Sequence, residues 1–291
     1  MRMTGSLDEP ELAFLPWGVP LEDWPEDLVV ALPRGISRHI VRFVRMNGVV
    51  YAVKEVEEHY AKREYELLFD LVRRGLPTVE PVGVVLDRTD ADGEELPAGL
   101  ITRHLEFSLP YRALFSSSLR LETANRLLDA LAVLLVQLHL SGFSWNDCSL
   151  SNTLFRRDAG AFAAYLVDAE TGELHPSLSN GQRMYDLETA ATNVAGELMD
   201  LQAGGRLHEG IDPIVTGVAS ARKVQLVKDL GAVAAALAGS LLGQRLADLD
   251  RRLEYPASRE DRHAPQHIKI ADVSGHCADL REQEQPDPVH P

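Results

Sequence analysis

The residues Trp145-Asn146-Asp147-Cys148-Ser149-Leu150-Ser151-Asn152, followed sixteen positions after Asn152 by Asp168 in Leu166-Val167-Asp168-Ala169-Glu170, decide how this chain is read. A carboxylate and a carboxamide stand five residues apart in a loop-like segment, and a second carboxylate closes an apolar, strand-like run. A carboxylate such as Asp147 can orient an attacking hydroxyl and accept its proton, whereas oxygen ligands such as Asn152 and Asp168 can fix Mg²⁺ on phosphate groups. Asp147 is therefore the candidate base, and Asn152 and Asp168 are the candidate metal ligands. Taken alone, an Asp with an Asn five positions later equally describes an ordinary surface loop.

Agreement with other segments strengthens the chemical reading. Val49-Val50-Tyr51-Ala52-Val53-Lys54-Glu55-Val56 is an apolar strand pattern interrupted by one lysine. Ten residues on, Glu64 lies in Ala61-Lys62-Arg63-Glu64-Tyr65-Glu66-Leu67-Leu68, which continues to Leu71 with apolar positions that suit an amphipathic helix. A strand lysine and a glutamate on the next helix can form an ion pair that aims the lysine at nucleotide phosphates. Lys54 and Glu64 thus join Asp147 as catalytic candidates. Separately, each reads as an exposed strand Lys or a solvated helix Glu; the order and spacing of all five favour one site.

The chain of 291 residues is 45% hydrophobic and 25% charged, enough apolar material for one large core or two lobes sharing a cleft. A formal net charge of −15 argues against a general nucleic-acid binder, which needs an excess of Lys and Arg against the phosphate backbone. Two cysteines, Cys148 and Cys277, imply no disulfide framework and fit a reducing compartment. Cys148 reads as a small packing residue. The opening Met1-Arg2-Met3-Thr4-Gly5-Ser6 has no secretory apolar core, so a cytoplasmic protein is expected. The apolar tracts at 127–140 and 230–242 are short or interrupted relative to the ~20 residues that span a bilayer and are read as buried helices.

Four regions are expected: an N-terminal strap over 1–27, a first lobe over 28–106, a second over 107–255, and a mobile tail over 256–291. The first lobe should open as a three-stranded meander: 28–32, 39–45 and the lysine strand, with Asn47-Gly48 as a type I′ turn. Strands follow at 79–86 and 99–105. Asp87 to Glu95 reads as a polar hairpin loop whose faint likeness to a calcium loop lacks the later bidentate acid. The stretch His104-Leu105-Glu106-Phe107-Ser108 is the expected hinge over an adenine edge, which makes Glu106 a cofactor-binding candidate. A long helix over 122–140 ends at Gly142 and delivers the chain into the Asp147 loop; His139 reads as a packed residue. His263, His267, His276 and Cys277 do not form a convincing zinc set, because Pro265 interrupts any helix joining the first two.

The loop spacing matches H-R-D-L-x-x-x-N, Lys54 matches the lysine of V-A-I-K, and Asp168 stands where D-F-G begins. On these residues, with Arg183-Met184-Tyr185-Asp186-Leu187 in support, the chain resembles the protein-kinase-like superfamily, nearest to its lipopolysaccharide-kinase (Kdo and heptose kinase) branch, over residues 28–199. The resemblance implies an α+β, bilobal fold with an antiparallel N-terminal sheet lobe carrying one helix and a mainly helical C-terminal lobe. It also implies ATP and Mg²⁺ as cofactors, Lys54 on the phosphates, and Asp186 holding the catalytic loop in shape. The turn before the second strand should cover the phosphates; with no G-x-G-x-x-G present, Gly35, Ser37 and Arg38 are its candidates. Trp145 and Asn146 depart from His and Arg, and Ala169-Glu170 from Phe-Gly. Eighteen residues from Asp168 to Asp186 leave no room for a peptide-binding activation segment, so the expected acceptor is a hydroxyl of a small molecule, sugar or lipid-linked glycan. The alternative is a pseudokinase that binds nucleotide without turnover.

Overall fold

The computed structural model describes residues 1–5, 10–33, 38–115, 120–158, 160–207, 211–213, 216–217 and 266–269. Strand β1 (Arg2–Gly5) is followed by short 3₁₀ turns at Pro10–Phe14 and Leu21–Asp23. Then come β2 (Val41–Met46), β3 (Val49–Val56), helix α1 (Glu58–Arg73), β4 (Glu80–Leu86), the short pair β5 (Arg88–Thr89) and β6 (Glu95–Leu96), and β7 (Ala98–Arg103). The second half holds β8 (Ser108–Pro110), α2 (Tyr111–Phe115), α3 (Leu121–Leu140), β9 (Phe143–Ser144), β10 (Thr153–Asp158), β11 (Ala161–Leu166), β12 (Glu173–Leu174) and α4 (Asn180–Ala203). A last strand, β13, spans Gln266–Lys269.

The first lobe is a six-stranded sheet in the order β13-β1-β4-β7-β3-β2, every neighbouring pair antiparallel. Asn47 (φ 49°) and Gly48 (φ 83°) make the tight turn between β2 and β3. Strand period two then assigns the lysine strand its faces. Val53 packs into the cluster of Leu12, Trp17, Leu21 and Trp24 from the N-terminal segment, whereas Val56 packs with Ala61 of α1. Lys54 shares the α1 face with Val56, and Glu55 shares the other face with Val53.

Glu55 is where the N-terminal segment is fastened. Arg88, wholly buried, donates from Nη1 to Glu55 Oε1 (2.7 Å) and to the Pro97 carbonyl (2.7 Å), from Nε to Trp17 O (3.0 Å), and from Nη2 to Val19 O (2.7 Å). Its guanidinium also lies 5.7 Å from the Trp17 ring centroid, and Trp17 meets Trp24 edge-on at 5.3 Å. The indole of Trp17 fits because residue 99 is glycine: a Cβ there would stand 2.7 Å from its ring. Arg88, expected in a solvated hairpin loop, is thus a core residue.

Two other expectations change. Residues 28–32 form no strand; only Val29 bridges Val44, with Val30 N donating to Phe43 O at 2.7 Å, because the amides of Leu28 and Val29 are turned back onto Pro25 O (3.1 Å) and Glu26 O (3.3 Å). At the opposite edge, Arg2–Gly5 and Gln266–Lys269, expected in strap and tail, extend the sheet beyond β4. The buried helix expected at 230–242 and the histidines of the tail, apart from the backbone of His267, lie outside the described residues.

The second lobe packs α3 and α4 around Trp145, Phe143, Leu150, Phe155 and Leu166, with β8, β10 and β11 forming a three-stranded sheet beneath the cleft. Helix α3 carries an almost continuous apolar surface, as a helix buried between layers must. Gly142 (φ 85°) ends it, where a Cβ would come within 2.1 Å of His175 O. The lobes are joined by main-chain bonds from Val79 N to Leu166 O (3.0 Å) and Leu166 N to Pro77 O (3.0 Å). Among the described residues no helix is long and apolar enough to cross a membrane.

Removing one partner of a buried ion pair leaves a desolvated charge. Arg88→Met should therefore lower the unfolding free energy by about 3–5 kcal/mol, measured by denaturant titration, while Arg88→Met combined with Glu55→Leu should recover much of the loss.

Candidate functional site

Between the lobes lies a cleft of about 1020 Å³, at the upper end of ordinary small-molecule sites. Ala52 and Val79 from the first lobe and Leu154 and Val167 from the second give it apolar walls. Lys54, Glu64, Asp147, Asn152, Asp168 and Arg38 all border it, so six sequence candidates converge on one space. Gly35 and Ser37 lie outside the described residues. Glu106 is exposed and does not border the cleft. The chain turns outward there, with Phe107 at φ 58° and 90% exposed, and Ser108 folds back to Leu105 O; Arg103, His104, Leu105 and Ser108 form the wall instead.

Lys54 is the centre of the upper half. Its Nζ donates to Glu64 Oε2 (2.7 Å), Asp168 Oδ2 (3.0 Å) and Glu170 Oε2 (3.3 Å). Glu64 reaches it because it lies on the buried stripe of α1 with Ala61, Leu68 and Leu71, a glutamate among apolar residues. Its other oxygen accepts from Ala169 N at 3.4 Å, which docks α1 on the segment after Asp168. Burial first, and then the charge of Asp168, push the Glu64 carboxyl up to about 8 despite the adjacent ammonium. Lys54 moves upward too: burial works against its charge, but the carboxylates of Glu64 and Asp168 outweigh it. Oxygens of Glu64, Asp168 and Glu170 all lie within 4.8 Å of one another around the Lys54 ammonium, and Asp168, at 25% exposure, is the most exposed of the three and so the one placed to offer an oxygen to a metal.

The lower half is the Asp147 loop, held along one face of α4. Asp186, fully buried in the second turn of that helix, accepts from Trp145 N (2.8 Å), Asn146 N (2.6 Å) and His139 Nε2 (2.9 Å). Seven residues on, Asn193 donates to Asp147 Oδ1 and Cys148 O, both at 3.2 Å. Four further, Glu197 accepts from Leu150 N and Ser151 N, both at 2.8 Å, and from the Ser151 hydroxyl. The loop is thus splinted by three side chains at helical spacing. Burial raises the Glu197 carboxyl, opposed by these donors. Asn152 donates its amide to Asp147 O and Oδ2, each at 3.0 Å, which leaves its carbonyl oxygen as the group suited to a metal.

Both departures at the head of the loop acquire reasons. Trp145 is fully buried and its indole donates to Asp168 O at 2.9 Å, tying the two acidic loops together. Asn146 adopts φ 64°, a left-handed conformation that asparagine tolerates better than most residues, and its amide bridges Ser144 and Thr171. Cys148 is buried and its thiol is raised well above the ordinary range by that burial, so it packs and is no nucleophile. Glu170, Asn193 and Glu197 were not singled out from sequence. The traces they leave are an acid two places after Asp168, and polar residues at seven and eleven places after Asp186.

A model of the lipopolysaccharide kinase (Kdo/WaaP) family matches residues 39–192, more than half of the chain. No curated protein matches it. Among solved structures, one described as "WaaP in complex with acyl carrier protein" is similar over 88% of this chain and 100% of its own, at 16% identity and a TM-score of 0.44.

A folded-state carboxyl raised from 4.5 to about 8 means that the folded protein holds a proton the unfolded chain releases. Its contribution to stability is complete below the lower value and is lost as pH climbs through the upper one. The denaturation midpoint of the unaltered protein should therefore fall as pH rises from about 4.5 to about 8, and Glu64→Gln should flatten that fall.

Proposed function

Because the chain belongs to the lipopolysaccharide kinase (Kdo/WaaP) family, we propose that it transfers a phosphoryl group from ATP, with Mg²⁺, to a hydroxyl of a sugar or lipid-linked glycan acceptor. The observation that carries this reading is the meeting of Lys54 with Glu64 at 2.7 Å and Asp168 at 3.0 Å in the same cleft that Asp147 borders. Lys54 would hold the α- and β-phosphates, with Glu64 aiming its ammonium. Asp168 and the Asn152 carbonyl would hold Mg²⁺, which supplies charge neutralisation on the phosphates.

Asp147 acts on the acceptor. Its carboxylate orients the hydroxyl and takes its proton as the new oxygen–phosphorus bond forms, while the bond to the ADP oxygen breaks. Bonds from Asn152 and Asn193 occupy one lone pair on each Asp147 oxygen and fix the group's orientation without neutralising it. The walls from Ala52, Val79, Leu154 and Val167 suit a flat base.

A second reading, nucleotide binding without turnover, draws support from the lone glycine, Gly35, in the expected phosphate turn. Turnover separates the two. Mg·ATP should raise the melting temperature, since a ligand of the folded state stabilises it by mass action. Asp168→Ala should abolish the metal-dependent part of that shift. No shift at millimolar nucleotide with either Mg²⁺ or Mn²⁺ would overturn the nucleotide site. Asp147→Asn should keep the shift and lower ATP consumption on glycan acceptors roughly 10²–10⁴-fold; equal consumption by both proteins would remove Asp147 from the base role.

A further inference from the structure

We propose that Glu170 is a positioning residue for the phosphate half of the nucleotide site, fastening Arg38, His39 and Lys54 to the loop that carries Asp168. The proposal rests on the nucleotide reading above and extends it to residues that reading does not use.

The geometry is specific. Glu170 Oε2 accepts from His39 Nε2 at 3.0 Å and from Lys54 Nζ at 3.3 Å, and Oε1 faces the Arg38 guanidinium at 3.7 Å. Three nitrogen-bearing side chains from two segments of the first lobe therefore meet one carboxylate of the second. That carboxylate is 8% exposed and does not border the cleft, whereas Arg38, His39 and Lys54 all do. Glu170 stands behind them, so its hydrogen bonds hold the His39 and Lys54 donors at the cleft wall, and its charge attracts the more exposed Arg38, without occupying the space between. Its own main chain is anchored, with Glu170 N donating to Asp168 Oδ1 at 3.0 Å.

This arrangement answers two peculiarities of the sequence together. The sequence ahead of β2, where a phosphate-covering turn is expected, contains one glycine, the residue that best lets successive backbone amides approach a phosphate; side-chain donors at Arg38 and His39 offer a substitute. Flexible side chains must be held to serve, since each unrestrained rotamer costs entropy on binding. The position two after Asp168, glycine in D-F-G, is here the glutamate that holds them, and a glycine could make none of these contacts. Two effects oppose each other: a carboxylate near phosphates repels them, and a carboxylate that orders their ligands attracts them indirectly. With three cationic or donor groups between Glu170 and the cleft, the ordering effect outweighs the screened repulsion.

The test is calorimetric titration of the full chain with two probes, Mg·ATP and adenosine, which share the base but not the phosphates. Glu170→Ala should weaken Mg·ATP roughly tenfold or more and leave adenosine within about twofold, in the range expected when a supporting shell is removed. Glu170→Gln, which keeps an accepting oxygen, should fall between. His39→Ala should show the same phosphate-selective loss, and its combination with Glu170→Ala should lose less than the two separate losses added, because they share one contact. Should Glu170→Ala fail to fold, Glu170→Gln and His39→Ala decide the matter by the same ratio. Variants that bind Mg·ATP as tightly as the unaltered protein or tighter, or that lose both probes equally, would overturn the role of Glu170 alone. An unaltered protein that binds neither probe would overturn the nucleotide reading, and this one with it.

Discussion

One ammonium surrounded by three carboxylates organises this molecule. Lys54 comes from the sheet, Glu64 from α1, and Asp168 and Glu170 from the segment after β11, and the three carboxylates all lie within hydrogen-bonding distance of Lys54 Nζ. Buried charges are tolerable only when paired, and no single element here carries its own partner. The pairing therefore fixes how α1 lies on the sheet and how the first lobe lies on the second. Burial first, and then the neighbouring charge of Asp168, lift the Glu64 carboxyl to about 8.

The second lobe solves a different problem. A catalytic loop must leave the regular hydrogen-bond ladders, and its buried amides then need acceptors from elsewhere. Helix α4 supplies them at Asp186 and Glu197, and supplies a donor at Asn193 for the Asp147 carboxylate itself. A rigid helix capped by a Ser179–Gln182 capping box thus carries the precision that the loop lacks. Trp145 completes the frame by bonding the Asp168 carbonyl, so the two acidic loops are located relative to each other through an indole that also fills the core.

The N-terminal segment is held by a comparable device on the far face of the sheet. Arg88 spends its donors on Glu55 and on the carbonyls of Trp17, Val19 and Pro97, so one guanidinium joins segment, sheet and hairpin. Glu55 and Lys54 are sequence neighbours with opposite destinations, one stabilising the outer cover and the other entering the cleft, because adjacent side chains on a strand leave by opposite faces.

Spacing and residue type were sufficient, from sequence, for α1 and α3, for the tight Asn47-Gly48 turn, and for grouping Lys54, Glu64, Asp147, Asn152 and Asp168 in one site; the bilobal architecture followed from the family resemblance that these motifs carry. The helices and the turn depend on local periodicity and short motifs; the meeting of Lys54 with Asp168, 114 positions away, was legible only because the order of the motifs matched a known pattern. Glu106, a candidate as part of the expected hinge over an adenine edge, does not border the cleft, since the turn at Phe107 carries it to the surface. Arg88, Asn193, Glu197 and Glu170 became legible only in three dimensions. Their partners lie 33, 46, 47 and 131 positions away, and a polar residue on a surface-like pattern gives no local sign of a distant acceptor. The edge strands at 2–5 and 266–269 belong with them: whether a short segment pairs is decided by an unpaired edge elsewhere in the fold, and that edge is made by the tertiary structure.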